Sequence, residues 1–186
     1  HPPFDNPKAR QALVHAVNQE NYLQAIIGNP KLYSACAAYF ICGTPNETAV
    51  ATEALKNVNL DKAKQLLKEA GYKGEKIILM QPTDIPVLNG ASLVTAQMLR
   101  DIGMKVEVQA MDWSTLTSRR AEKKSPADGG WNIFHTYSTG ADVTSPISNI
   151  GISGGGVEKA WFGWPTDAKI ESCLLYTSPS PRDGIG

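Results

Sequence analysis

The fold is decided by residues 60–80, which read LDKAKQLLKEAGYKGEKIILM. Four apolar residues take the i, i+3, i+4 and i+7 positions of one helix face: Ala63, Leu66, Leu67 and Ala70. Gly71 stands where a helix commonly ends, and the continuous apolar run at 77–80 is typical of a strand buried on both faces. A helix followed by such a strand predicts helices packed on a parallel sheet.

The same alternation of helix and strand extends along the chain. The predicted helices cover residues 7–27, 60–70, 91–102 and 113–122, and the predicted strands cover residues 77–80, 106–110 and 131–137. Asn6 before Pro7 is a capping signal that starts the first helix, and Gly28 ends it. Residues 29–59 and 138–163 have no regular period and predict long loops. The sequence therefore predicts an α/β fold built from βαβ units, with ligands bound where the carboxyl ends of the strands meet.

Composition excludes several classes of protein. Eighteen Lys and Arg balance eighteen Asp and Glu, so that the formal net charge is zero and a nucleic-acid partner is not expected. Hydrophobic residues make up 42% of the chain, which is enough for a packed core. No apolar run is long enough to span a bilayer, and no targeting signal is visible. The chain does not begin with Met, and we expect it to be a fragment.

Cysteine and histidine spacing does not predict a metal site or a cofactor. Cys36 and Cys42 lie in the predicted loop, where a disulfide in an oxidising compartment is favoured over two free thiols or a metal. The histidines, His1, His15 and His135, are widely spaced, and His135 is predicted to be a satisfied wall residue of a strand. No phosphate-binding loop or dinucleotide fingerprint occurs.

Ser153 lies in a G-x-S-x-G pattern at residues 151–155, the signature of a hydrolase nucleophile elbow. An elbow needs a strand before the serine and a histidine after it, and neither is evident here. A flexible glycine loop is the favoured interpretation, and a serine hydrolase is kept as the enzyme alternative.

Polar and aromatic residues near the predicted strand ends are candidates for ligand contact. Asp142 could pair with a ligand ammonium group or cap a helix. Five aromatic residues could line a cleft or pack in the core: Trp113, Trp131, Tyr137, Trp161 and Trp164. Arg119 is expected on a solvated helix face, and an arginine beside it could anchor a carboxylate.

Several segments together resemble one family. Residues 3–13 (PFDNPKARQAL), 62–72 (KAKQLLKEAGY) and 97–103 (QMLRDIG) resemble successive signatures of family 5 extracellular solute-binding proteins, the dipeptide, oligopeptide and nickel receptors of ABC importers. Residues 42–45 (CGTP) and 129–136 (GGWNIFHT) also resemble substrate-binding proteins of ABC transporters. The order and spacing of these segments extend the resemblance over nearly all of residues 2–172.

The resemblance implies a periplasmic-binding-protein-like lobe of the type II, peptide-receptor class, with a mixed sheet flanked by helices in an incomplete bilobal protein. Residues 1–145 are then expected to form the second lobe, with 29–59 as a long loop holding the cysteine pair, and residues 146–172 the crossover back to the first lobe. Residues 173–186 resemble the translation of a sequencing-library adapter and are expected to be non-native.

The resemblance also implies a site. In peptide-binding members an acidic residue in the pattern A-D-x-x-x-P holds the peptide ammonium group, and Asp142 fits this pattern at residues 141–146. A Trp followed seven positions later by Arg lines the same pocket, a spacing that Trp113 and Arg120 keep. With Tyr137 these form the predicted ligand-binding set.

The implied protein is a non-enzyme without a cofactor, in the periplasm or anchored by lipid on the extracytoplasmic face. Its partners are a small solute and the permease subunits of an ABC importer, and it is expected to be a monomer at full length. A di- or oligopeptide is the leading ligand, and nickel chelate, opine and sugar are alternatives. A chemosensory or chaperone-like receptor that shares the fold is a further possibility.

Overall fold

The computed structural model describes residues 1–177, which divide into two compact units. Unit 1 consists of His1–Ala37 and Ala49–Tyr137. Unit 2 consists, within the described residues, of Ala38–Thr48 and residues 138–177. The predicted division into lobes at residue 145 refers to a longer protein and stays a prediction.

Unit 1 contains a three-stranded parallel sheet. The strands are β1 (Lys76–Pro82), β2 (Lys105–Met111) and β3 (Ile133–Phe134), in the order β2-β1-β3. The predicted parallel pairing is confirmed on both sides of β1. The continuous apolar run marks the central strand, since Ile77, Ile78, Leu79 and Met80 are all at most 4% exposed.

Strand β3 is shorter than predicted. Only Ile133 and Phe134 pair with β1, although residues 131–137 were expected to form a strand. The reason lies at Asn132, whose side-chain Oδ1 accepts the Ile78 N–H at 2.8 Å, while its own N–H donates to the Ile78 carbonyl at 3.0 Å. A side chain thus occupies the donor that a longer backbone ladder would use.

The predicted first helix is two helices. α1 (Pro7–Ala16) starts as predicted with the Asn6 side chain accepting from the Lys8 N–H, but it ends at an extended Val17. Asn18 then caps α2 (Gln19–Ile26) by accepting the N–H groups of Glu20 and Asn21. Prediction of a single helix over 7–27 was therefore wrong, because a second capping residue lies inside the apolar repeat.

The helix within residues 60–80 forms as predicted. α4 (Leu60–Glu69) follows the short α3 (Glu53–Lys56) and ends at Gly71, whose φ is +79°. The N–H of Gly71 donates to the Lys68 carbonyl at 3.0 Å, and the N–H of Tyr72 donates to the Leu67 carbonyl at 3.2 Å. This pair of hydrogen bonds is the Schellman motif, and it requires a left-handed residue that glycine supplies without a steric cost.

Two further helices complete unit 1 on either side of β2. α5 (Pro86–Asp101) connects β1 to β2, and α6 (Trp113–Arg119) follows β2 directly. One buried cluster joins α1, α4, α5 and β1: Ala12, Ala16, Ala63, Leu66, Leu67, Ile77, Leu99, Ile102 and Met104. Among the described residues no helix is long and apolar enough to cross a membrane.

Unit 2 is mostly irregular, as predicted for residues 138–163. Its helices are α7 (Gly140–Val143), α8 (Gly156–Lys159) and α9 (Ala168–Thr177). The segment Ala38–Thr48 joins this unit through Asn46, whose amide donates to the Thr144 carbonyl at 3.0 Å. An isolated antiparallel bridge pairs Gly155 with Thr166.

The last helix extends into the tail that we expect to be non-native. α9 spans Ala168–Thr177 and therefore continues past residue 173, where the tail was expected to begin. Residues 178–186 of this tail lie outside the described residues. Its adapter origin stays a prediction.

Candidate functional site

The candidate site of unit 1 lies at the carboxyl ends of β1 and β2, where open α/β sheets bind ligands. Two of the predicted strand-end segments meet there. The N–H and hydroxyl of Thr83, just after β1, donate to the carbonyl of Met111, the last residue of β2, at 2.9 and 3.2 Å. Asp84 accepts the main-chain N–H of Trp113 at 2.8 Å. The two strand ends are therefore joined by hydrogen bonds through residues 83 and 84.

Trp113 and Arg120 come together, as their spacing on α6 implies. The Arg120 guanidinium carbon lies 5.9 Å from the centre of the Trp113 ring. This is within the range at which an arginine is attracted to the face of an indole. Both side chains are partly exposed, so the pair presents a flat apolar surface next to a positive charge.

Arg119 has a structural role that the sequence did not predict. A solvated position was expected, yet its side chain donates from Nε to the Gly129 carbonyl at 3.3 Å and from Nη2 to the Gly130 carbonyl at 3.1 Å. It is only partly exposed. The expectation was wrong because the loop before β3 places two carbonyl groups within reach of the guanidinium.

Tyr137 is the last residue of unit 1 and is 63% exposed. Within residues 1–177 it makes no hydrogen bond or ring contact, so neither kind of contact joins it to Trp113 or Arg120. Trp131, by contrast, is 8% exposed and packs edge-on against Phe134 with the ring centres 5.0 Å apart. The aromatic residues could line a cleft or pack in the core, and Trp131 packs in the core.

Asp142 belongs to unit 2 and is the third residue of α7. Its Oδ2 accepts the Thr139 hydroxyl at 2.8 Å and the Thr139 main-chain N–H at 2.9 Å, which is a capping box. These hydrogen bonds, the one from the hydroxyl foremost, hold the pKa of the exposed Asp142 carboxyl below its ordinary value. Within residues 1–177 no hydrogen bond reaches Oδ1, so a charged oxygen stays open to solvent.

Ser153 does not lie on a nucleophile elbow. It follows the 3-10 turn Ile150–Ile152 rather than a strand. Its hydroxyl donates to Glu171 Oε1 at 3.1 Å, and the same oxygen accepts the Gly154 N–H at 2.6 Å. Glu171 on α9 therefore holds the glycine loop in place through hydrogen bonds to Ser153 and Gly154. This agrees with the interpretation of residues 151–155 as a glycine loop.

The cysteines and acidic residues provide no metal centre in the described part of the chain. Cys36 and Cys42 are disulfide-bonded, and Cys173 is a free, exposed thiol. No group of three or more His, Cys, Asp and Glu side chains within residues 1–177 is placed to hold a metal ion.

His135 is hydrogen-bonded, as predicted, but it follows β3 and does not lie within a strand. Its Nε2 lies 2.8 Å from the Thr95 hydroxyl, which also lies 2.7 Å from the Tyr22 hydroxyl. Burial lowers the pKa of His135 and raises that of Tyr22. These groups connect α2, α5 and the segment after β3 in one polar network inside unit 1.

Sequence reasoning missed three of the residues that shape these sites: Asp84, Thr95 and Glu171. Asp84 had a usable signal, since it lies within residues 81–86, the first of the predicted strand ends. Thr95 and Glu171 had none, because each acts on a residue far away in sequence: Thr95 on His135, and Glu171 on Ser153.

The sequence matches the family model described as bacterial extracellular solute-binding proteins, family 5 middle, over residues 1–158. The chain therefore belongs to the family 5 extracellular solute-binding proteins. This agrees with the resemblance that its motifs carry.

Individual relatives agree with the family. The chain is 41% identical over 177 residues, 91% of its length, to the Sinorhizobium fredii protein named "Probable peptide ABC transporter periplasmic-binding protein y4tO". It is 31% identical over 137 residues, 72% of its length, to the glutathione-binding protein GsiB of Escherichia coli K12. The chain spans 32% and 25% of these two proteins, so it corresponds to part of each.

A solved structure shows the same fold. The oligopeptide-binding protein AppA of Bacillus subtilis, in complex with a nonapeptide, superimposes with a TM-score of 0.69 at 20% identity. The match covers 96% of this chain and 37% of AppA. The described fold thus corresponds to part of the fold of that solved binding protein, as expected from the family.

Proposed function

We propose that this chain is part of the substrate-binding component of an ABC importer. That protein captures a small solute, foremost a di- or oligopeptide, and delivers it to a membrane permease. It performs no catalysis. The observation that carries the proposal is family membership over residues 1–158 together with 41% identity to a protein named for peptide transport.

The chemistry of the strand-end residues supports a peptide as the ligand. The Trp113 ring and the Arg120 guanidinium offer an apolar face and a positive charge, which suit a ligand side chain and a carboxylate. The open Oδ1 of Asp142 offers a negative charge, which suits an ammonium group. A peptide carries all of these groups. We propose that Asp142, Trp113, Arg120 and Tyr137 contact the ligand.

Capture by such a receptor rests on a shift between two conformations. Ligand that contacts both lobes binds the closed state more tightly than the open state and so favours closure. We propose that the working protein is a monomer located in the periplasm or held by a lipid anchor on the extracytoplasmic face.

A thermal-shift screen tests the ligand class. A protein of the relatives' length that carries this chain is melted with peptides, nickel chelates, opines and sugars. Ligand at a hundred times its Kd stabilises the native state by about 2.7 kcal/mol, which gives a clear rise in melting temperature. A shift with peptides alone supports the proposal. A shift with one of the other solutes alone contradicts the peptide assignment.

Asp142 needs a test that separates ligand binding from helix capping. Asp142→Asn keeps an acceptor oxygen for Thr139 but removes the charge, whereas Thr139→Ala removes the capping hydroxyl and keeps the charge. Loss of a charged hydrogen bond costs roughly 1.5–3 kcal/mol, or about ten- to a hundredfold in affinity. We expect this loss of peptide affinity in Asp142→Asn and a lower melting temperature without such a loss in Thr139→Ala. Equal affinities in the two variants would contradict the ammonium anchor.

A serine hydrolase is the competing function, and an assay of ester hydrolysis tests it directly. Ester turnover that disappears in Ser153→Ala would overturn the binding function. The hydrogen bond from Ser153 to Glu171 makes the serine a structural donor, and we expect no turnover.

A further inference from the structure

The start of α6 is held by two carboxylates from different parts of the chain. The first N–H groups of a helix have no acceptor within the helix itself. Asp112, the residue before the helix, accepts the Thr115 N–H at 2.9 Å. Asp84, in the loop after β1, accepts the N–H of Trp113, the first helical residue, at 2.8 Å. The second carboxylate ties the helix to a neighbouring strand end.

The loop that carries Asp84 is itself fixed to β2. Thr83 donates to the Met111 carbonyl through both its N–H and its hydroxyl. Only residues 83–85 separate β1 from α5, so the loop has little freedom. The Asp84 carboxylate is thus a fixed point against which the backbone of Trp113 is placed.

The position of Trp113 in turn determines the position of Arg120. Arg120 ends the same helix, and its N–H donates to the Leu116 carbonyl at 2.8 Å. Its guanidinium lies over the Trp113 ring across the two turns of α6. A change in the direction of the first turn therefore moves the ring away from the cation. Such a pair recognises a ligand only when both members keep their orientation.

We propose that Asp84 is a positioning residue that fixes the Trp113–Arg120 pair in the orientation in which it meets the ligand. The inference rests on the proposed function, because it takes this pair as part of the ligand site. Asp84 acts through the main chain of Trp113 and needs no contact with the ligand.

A role in overall stability is the competing explanation, and exposure argues against it. Asp84 is exposed, and an exposed hydrogen bond contributes little net free energy to folding. Thr83 already closes the loop with two hydrogen bonds, and Asp112 already caps the helix. Removal of the Asp84 carboxylate is therefore expected to alter the direction of Trp113 much more than the stability of unit 1.

Nuclear magnetic resonance of a protein of the relatives' length that carries this chain tests the proposal without a ligand. An amide that donates to a carboxylate changes its chemical shift when that carboxylate is protonated. We expect the Trp113 amide to move on acidification in the wild type and to lose this movement in Asp84→Asn, which keeps a neutral acceptor. Asp112→Asn is the matched control. We expect it to abolish the acid-induced shift change of the Thr115 amide and to leave that of the Trp113 amide.

The second readout is the ring-current shift of the Arg120 side chain. The Trp113 ring shields the Arg120 side-chain protons in the wild type, and we expect this upfield shift to persist in Asp84→Asn and to disappear in Asp84→Ala. Asp84→Val serves in the same way if Asp84→Ala does not fold. An unchanged Arg120 shift in the folded Ala or Val variant overturns the proposal, as does a Trp113 amide that moves on acidification as far in Asp84→Asn as in the wild type.

Ligand binding then separates this inference from the proposed function. In the longer protein, a tripeptide of alanine and an arginine-free peptide mixture are the probes. We expect Asp84→Ala to weaken binding about two- to tenfold, the effect of one hydrogen bond, and Asp84→Asn to restore most of it. Equal binding by Asp84→Ala and wild type overturns the positioning role. If no peptide binds the wild type, the peptide function fails, while the ligand-free shifts still decide whether Asp84 orients the pair.

Discussion

Individual side chains in this protein hold parts of the chain that are distant in sequence. Thr95 is the clearest case, because its one hydroxyl lies within hydrogen-bond distance of both Tyr22 and His135. The donor and acceptor roles of the two hydroxyls follow the tautomer of His135, and each hydrogen bond strengthens the other. Desolvation disfavours the charged imidazole and lowers the pKa of His135. The neutral imidazole is therefore the favoured form in this network.

The stability of unit 1 should fall on acidification through His135. Burial lowers the pKa of His135 in the folded state, so the unfolded chain takes up its proton first as the pH falls. The contribution is complete above the unfolded pKa, near 6.5, and is lost as the pH drops through the folded pKa. Chemical denaturation between pH 7.5 and pH 4.5 measures this. His135→Gln should flatten the dependence and His15→Gln should retain it. An equally steep dependence in His135→Gln would contradict the prediction.

Alanine substitutions at two glycines are expected to change the stability of the chain in opposite directions. A Cβ on Gly130 would lie 1.9 Å from the Lys124 carbonyl oxygen, whereas on Gly90, inside α5, its nearest neighbour would be 3.5 Å away. We expect Gly130→Ala to destabilise the chain by roughly 1–3 kcal/mol, because backbone atoms must shift. Gly90→Ala should stabilise it by about 0.5–1 kcal/mol, because alanine is the better helix former. Urea unfolding of both variants checks the pair, and destabilisation by both would show that α5 has no room for the methyl group.

At the scale of elements, capping residues decide where helices begin and end. Asn18 is the instructive case, since it divides an apolar repeat that otherwise continues through α1 and α2. Asn18→Ala should cost about 1 kcal/mol, because two N–H groups lose their acceptor, and Asn18→Asp should cost little. Thermal unfolding of the two variants gives the comparison. Equal melting temperatures for Asn18→Ala and wild type would mean that solvent replaces the cap.

Elements with local signals could be predicted from the sequence. The α4 boundaries follow from its apolar spacing and Gly71, and the buried strand β1 follows from its unbroken apolar run. β3 could not be predicted at its true length, because the Asn132 side chain takes a donor of β1, and such a contact leaves no local trace. The pairing of Trp113 with Arg120 was implied by the family resemblance, whose spacing they keep. Their dependence on Asp84 could not be predicted, since only folding brings that loop to α6.

For the molecule as a whole, the disulfide is the feature with a measurable global effect. Cys36 and Cys42 close a short loop, and the loss of chain entropy in the unfolded state stabilises folding by about 2 kcal/mol for a loop of this size. Reduction should therefore lower the melting temperature of the wild type. Cys36→Ser with Cys42→Ser should melt at the reduced value in either condition. Cys173→Ser should respond to reductant as the wild type does, and a wild type indifferent to reductant would contradict the prediction.

The isolated chain is also expected to unfold with low cooperativity or to self-associate. It spans about a third, 32%, of the Sinorhizobium fredii relative, and it exposes large apolar side chains such as Leu32 and Val50, which are 70% and 79% exposed. Calorimetry and sedimentation at high concentration check this. A monomer with a sharp two-state transition would contradict it.

Arg119 and Arg120 are neighbours in sequence, yet they face different partners. Arg119 is committed to two carbonyl groups of the loop before β3, and Arg120 lies over an indole at the sheet edge. Substitution at position 120, or at 113, therefore leaves the two carbonyl contacts of Arg119 in place. Because we propose that Trp113 and Arg120 contact the ligand, a combinatorial library restricted to those two positions in the longer protein is where variants with new solute preferences should be sought, as a starting point for biosensor engineering.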